Sequence, residues 1–199
     1  MAVPFSAVVL AGGTGARLGG ADKASLEHDG RTLLEHSLAA LSDAHEVVVV
    51  GPAVTTSRPV IFAREAPARG GPAAGLLAGR DALGEMPAWL GVLAVDMPYV
   101  RATTFRRLRD AALGSDGAFL ADPTGRRQLA GVLDPARLAA REAAVAPGLA
   151  QRHGLPLRTL LDGLELVLVA SHGDEATDID TWADVRELRT GPASREAPT

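Results

Sequence analysis

Leu10-Ala11-Gly12-Gly13-Thr14-Gly15-Ala16-Arg17-Leu18-Gly19-Gly20-Ala21-Asp22-Lys23 is an apolar run giving way to a glycine-rich loop. The preceding residues, 6–10, have the character of a buried strand. Successive glycines carry no Cβ, so main-chain N–H groups can close on an anion and form a phosphate-binding nest. Arg17 and Lys23 add two cations to the same loop. In open α/β sheets, ligands bind outside the carboxyl ends of the strands, where such a loop stands. Two well-known loops are excluded by spacing. A P-loop needs Gly-x4-Gly-Lys-Ser/Thr, but Gly15 and Gly20 are followed by Ala21-Asp22. A dinucleotide fingerprint needs Gly-x-Gly-x-x-Gly, and Gly13-Thr14-Gly15-Ala16-Arg17 runs into Leu18.

Beyond this loop, short β-branched runs alternate with helical patterns. Residues 32–41 place Leu33, Leu34, Leu38 and Leu41 on one helical face. Val47-Val48-Val49-Val50 suits a strand buried on both sides, as in a parallel sheet. Residues 60–62 read as a strand, 72–83 as a helix with Pro72 in its first turn, and 90–95 as a buried strand ending at Asp96. Thr103 is the expected cap of a helix reaching Leu113. Further on, 118–120 and 128–133 read as strands, 134–144 as a helix, 165–170 as a strand and 181–190 as a last helix capped by Asp180 or Thr181. This order predicts an α/β protein with a mostly parallel sheet and right-handed crossovers. One domain over residues 1–190 and a disordered tail over 191–199 are expected.

Composition narrows the function classes. The 199 residues carry 20 Lys and Arg against 24 Asp and Glu, a net charge of −4, which argues against sequence-blind nucleic-acid binding. Cysteine is absent, which removes thiolate catalysis, disulfides and Cys-based zinc sites. Residues 1–6 lack the features of a secretory leader, and no apolar run approaches membrane-spanning length. A cytoplasmic protein without a membrane partner is expected. The five histidines have no ligand spacing and are read as surface or capping residues. Arg106, Arg107 and Arg109 are read as a solvated helix face. No Gly-x-Ser-x-Gly elbow occurs.

Three other segments carry chemistry. In Leu93-Ala94-Val95-Asp96-Met97-Pro98, a carboxylate ends an apolar strand. Burying it unpaired is costly, but at a sheet's carboxyl edge it suits Mg²⁺ beside a triphosphate. In Arg69-Gly70-Gly71-Pro72-Ala73-Ala74-Gly75-Leu76, a helix starting at Pro72 presents N–H groups to a polar ligand, or simply begins a helix. In Ala176-Thr177-Asp178-Ile179-Asp180-Thr181, alternation sets Asp178 and Asp180 on one side of an extended segment. Asp178 is a candidate for the metal or the acceptor.

Leu10-Ala11-Gly12-Gly13 followed in register by Arg17, Gly19 and Lys23 resembles the signature of nucleotidyltransferases with a glycosyltransferase-A-like fold. Within them it is most similar to the molybdenum cofactor guanylyltransferase (MobA-like) group. The segments at Gly71-Pro72, Asp96 and Asp178 resemble that group's second glycine loop, metal-site strand and C-terminal stretch. The resemblance implies a three-layer α/β/α domain with a mostly parallel central sheet. It implies transfer of GMP from GTP to Mo-molybdopterin, with pyrophosphate release. Leu10, Ala11, Gly12, Gly13, Lys23, Glu65, Gly71, Pro72 and Asp96 would bind nucleotide. Arg17, Lys23 and Asp96 would be catalytic, and Asp96 with Asp178 would hold Mg²⁺. The chain departs from the group in two places. Only Glu65 is acidic where a pair is usual, and Gly51-Pro52-Ala53 replaces an asparagine. Another NTP thus stays open, as do a CTP-dependent or sugar-phosphate nucleotidyltransferase and a non-catalytic nucleotide-binding regulatory protein.

Overall fold

A computed structural model describes residues 5–12, 23–65 and 68–179. Among the described residues, seven strands form the central sheet. In chain order they begin with β1 (Phe5–Leu10), flanked in space by β4 (Val47–Val50) and β6 (Trp89–Ala94), both parallel to it. β5 (Ile61–Ala63) extends the parallel half beyond β4. β8 (Arg127–Leu133) runs antiparallel to β6 and to β7 (Gly117–Ala121), and β9 (Leu166–Ala170) closes the far edge parallel to β7. The sheet is therefore mostly parallel, as the alternation of elements predicts.

The run of valines shows why the strands are apolar throughout. Val47 and Val49 join Ala7 and Val9 in one core, against α1 (Leu33–Ala40) and α3 (Ala102–Ala111). Val48 and Val50 join Val8 in a second core, against α2 (Pro72–Asp81), α4 (Pro135–Val145) and α5 (Leu157–Leu161). Side chains alternate across a strand, so a strand between two helical layers must be apolar at every position. Each fully buried valine contributes about 2 kcal/mol of hydrophobic stabilisation. The two layers meet the sheet closely. A Cβ at Gly79 on α2 would lie 2.4 Å from a methyl of Val8, so the helix reaches β1 only because that side chain is missing.

Several local expectations shift. α3 starts at Ala102 with Arg101 as its N-cap, which puts Thr103 inside the first turn instead of at the cap. The Thr104 hydroxyl accepts from the Arg101 N–H at 3.1 Å. A two-stranded hairpin, β2 (Glu27–His28) with β3 (Arg31–Thr32), precedes α1, and Thr32 caps that helix through the Glu35 N–H. Asp29 and Gly30 both have positive φ, 48° and 74°, as a tight hairpin turn requires. The expected helix over 181–190, its caps and the tail over 191–199 lie outside the described residues.

Candidate functional site

The carboxyl ends of β1, β4, β5 and β6 make one edge, and hydrogen bonds carry that edge beyond the strands. The Ala11 N–H donates to the Val50 carbonyl at 3.0 Å, Gly51 N–H to Ala63 at 3.0 Å, and Val95 N–H to Leu10 at 3.1 Å. Leu10 and Ala11 are thereby fixed into the sheet, and the exposed Gly12 is the first residue to leave it. Gly13 and Arg17 lie outside the described residues.

Glu65 comes to this point from the end of β5. Its Oε1 lies 3.6 Å from where a Cβ would stand on Gly12, and 3.6 Å from the same position on Gly75. The half-buried carboxylate therefore sits between the first glycine loop and the first turn of α2. That turn starts from Gly71, whose φ of 88° lies in the region that glycine alone adopts freely. The Gly71 carbonyl then accepts from the Gly75 N–H at 2.9 Å, closing the turn that Pro72 opens. Gly12, Glu65, Gly71 and Pro72 thus share one rim.

On the β6 side, Asp96 follows the strand directly. Its Oδ2 accepts from Lys23 Nζ at 2.9 Å, and both side chains are mostly shielded, 22% and 14% exposed. The pair joins residues 73 apart in sequence, one at the end of the glycine-rich loop and one just after β6. Asp178 arrives on the chain returning from β9. The Ile179 N–H donates to the Asp96 carbonyl at 2.9 Å, which sets the exposed Asp178 next to Asp96 along the backbone. The sheet edge therefore gathers Leu10, Ala11, Gly12, Lys23, Glu65, Gly71, Pro72, Asp96 and Asp178.

Among the described residues no three His, Asp or Glu side chains group as metal ligands. Asp96 and Asp178 supply two carboxylates. That donor set suits a hard cation that takes its other ligands from water and phosphate, as Mg²⁺ does beside nucleotides.

Three readings from sequence change here. Arg107 is not a solvated helix residue: it forks onto Glu175, with Nη1 to Oε1 at 3.0 Å and Nη2 to Oε2 at 3.1 Å. Arg109 is only 12% exposed, lying over the Phe5 ring and within ion-pair reach of Asp43. His28 is buried, 5.2 Å from the His36 ring and 5.3 Å from Tyr99. Sequence reasoning missed Glu175, an acid on a short turn just ahead of the Asp178 stretch. Its partners, Thr104 and Arg107, come from a different element.

The chain matches the MobA-like NTP transferase domain family over residues 7–169. A molybdenum cofactor guanylyltransferase of Acidiphilium cryptum (strain JF-5) is 34% identical over 195 residues, covering 93% of this chain and 94% of that protein. The crystal structure of molybdopterin-guanine dinucleotide biosynthesis protein A from Archaeoglobus fulgidus superposes with a TM-score of 0.70 at 20% identity, covering 93% and 97% of the two chains. The 2-C-methyl-D-erythritol 4-phosphate cytidylyltransferase of Thermus thermophilus superposes with a TM-score of 0.67 at 23% identity, covering 92% and 96%. These two likenesses speak for the fold, which hosts more than one nucleotide chemistry. Among the described residues no helix is long and apolar enough to cross a membrane.

Proposed function

Because the chain belongs to the MobA-like NTP transferase domain family, we propose that it transfers GMP from GTP to the phosphate of Mo-molybdopterin, releasing pyrophosphate. The observation that carries the reading is the Lys23–Asp96 pair at 2.9 Å, at the edge shared with Gly12, Glu65 and Asp178. The relative from Acidiphilium cryptum, a guanylyltransferase by name, supports the same nucleotide.

The chemistry asks little of a general base. An acceptor phosphate oxygen, already ionised, attacks the α-phosphorus of GTP. A new P–O bond forms, the bond to the β-phosphate oxygen breaks, and pyrophosphate leaves with the electron pair. In-line placement and charge neutralisation then dominate the barrier. Gly12 opens the main chain to the nucleotide, and Gly13 is assigned to the same loop from the sequence. Lys23 donates to phosphate oxygens as charge gathers on the leaving group, and Arg17 adds a second cation. Asp96 and Asp178 are the residues that would hold Mg²⁺, which supplies Lewis-acid neutralisation of phosphate oxygens when bound. Lys23 balances the charge of Asp96 in the resting protein and turns to phosphate when nucleotide enters.

Glu65 favours guanine on chemical grounds. A carboxylate accepts two hydrogen bonds side by side, and guanine offers N1–H and the 2-amino group as adjacent donors. Cytosine offers its 4-amino group alone. The test is pyrophosphate release with GTP, ATP, CTP and UTP in turn, each with Mo-molybdopterin and with sugar phosphates. Release confined to GTP with Mo-molybdopterin is expected. Equal release with CTP, or release with a sugar phosphate only, would replace the reading. The protein works in the cytoplasm on soluble substrates.

A further inference from the structure

The chain from β9 to Asp178 is held by an acid outside the nucleotide site. Glu175 is 7% exposed, yet its carboxylate is fully engaged. It accepts from the Thr104 hydroxyl at 2.6 Å, from the His172 N–H at 2.8 Å, and from both Arg107 terminal nitrogens. Arg107 also donates to the Ala170 carbonyl at 3.0 Å and contacts His172 Nδ1 at 3.1 Å. Thr104 is wholly buried and itself accepts from the Arg101 N–H. The start of α3 is thereby locked to the turn over Gly173–Ala176.

These contacts close a ring. From Asp96 the chain runs five residues to Arg101 and enters α3. Thr104 and Arg107 pass the connection to Glu175. From there the chain runs to Asp178 and Ile179, and the Ile179 N–H returns it to the Asp96 carbonyl at 2.9 Å. We propose that Glu175 is the positioning residue that holds Asp178 beside Asp96, so that the two carboxylates present one geometry to a divalent cation. The inference rests on the metal reading of Asp96 and Asp178 given above. Glu175 acts through the ring and does not touch substrate. A buried carboxylate with this many charge-assisted donors is stiff, and it anchors the irregular segment that leads to Asp178. Removing an outer partner of a metal site costs about 10–100-fold in metal affinity.

The test compares full-length wild type, Asp96→Asn, Glu175→Gln and Glu175→Ala. Mn²⁺ affinity is measured by electron paramagnetic resonance with GTP present and no acceptor. Amide hydrogen exchange is followed at Asp178, Ile179, Val8 and Val9. Glu175→Ala is expected to weaken Mn²⁺ about 10-fold or more. It should speed exchange at Asp178 and Ile179 while leaving Val8 and Val9 unchanged. Glu175→Gln keeps the size and one accepting oxygen, so it should fall between wild type and Glu175→Ala in both readings. Wild-type exchange at Ile179 in Glu175→Ala would overturn the inference, whatever happens to the metal. Uniform acceleration at all four amides in both Glu175 variants would also overturn it, because the acid would then serve general stability. Unchanged Mn²⁺ affinity in Asp96→Asn would instead overturn the metal reading, leaving exchange to judge the ring.

Discussion

Lys23 and Asp96 show what one ion pair can mean at the end of a sheet. A pair this shielded costs desolvation, so its presence at a strand's carboxyl edge needs a reason beyond packing. Charge handling during phosphoryl transfer is such a reason. Lys23→Ala is expected to lower kcat about 100-fold or more with a small change in the KM for GTP, measured by steady-state pyrophosphate release. A wild-type kcat would remove Lys23 from the mechanism. Glu65→Ala should raise the KM for GTP about 10-fold or more, since a pair of hydrogen bonds to a charged acceptor is lost, and should narrow the preference for GTP over CTP. Gly71 tests conformation alone. Nothing lies within 4 Å of a Cβ there, so Gly71→Ala pays only for its φ of 88°. A loss of about 1–3 kcal/mol in denaturant unfolding is expected. These residues were open to sequence reasoning because strand, glycine and charge follow one another directly. Asp96 closes a run of strand residues, where an acid has no packing use. Glu175 gave no such signal, since its partners lie 71 and 68 residues away and meet it only through the fold.

Elements are tied by charge as well as by apolar faces. Arg80 on α2, 7% exposed, donates to Glu142 on α4 and to its neighbour Asp81. Arg152 donates to Glu142 and Asp81 in turn. Glu142→Ala leaves a buried guanidinium with one acid fewer and should destabilise the fold by about 2 kcal/mol, read by chemical denaturation. Glu175 gives a pH dependence. Burial alone would push its carboxyl up, but Arg107, Thr104 and the His172 N–H outweigh that and hold it below the ordinary glutamate value. A depressed pKa stabilises the fold above the unfolded value, near pH 4, and that contribution disappears as pH falls through the folded one. Stability should therefore drop below about pH 4 more steeply in wild type than in Glu175→Gln. Parallel slopes would contradict it. The long elements were legible from periodicity: α1, the valine strand and α4 come close to where their patterns put them. The short ones were not. Two-residue strands and the five-residue α5 are too brief for any period, although Asp29-Gly30 is a turn signal that points to the hairpin.

At the scale of the molecule, one sheet with helices on both faces delivers every assigned group among the described residues to a single edge. That architecture was readable from the order of buried runs and amphipathic stretches, because two-sided burial leaves its mark at each strand position. The antiparallel β8 between β6 and β7 was not, since strand direction leaves no trace in a short apolar run. The fold gives the edge and the residues give the chemistry, and both meet at one atom, the α-phosphorus of GTP. GTP carrying ³²P at the α-position, incubated with the protein, Mg²⁺ and Mo-molybdopterin, reports the fate of that atom. The label should pass into the molybdopterin dinucleotide while unlabelled pyrophosphate is released in equal amount. Label that stays in GTP, or appears only as free GMP, would contradict nucleotidyl transfer by this protein.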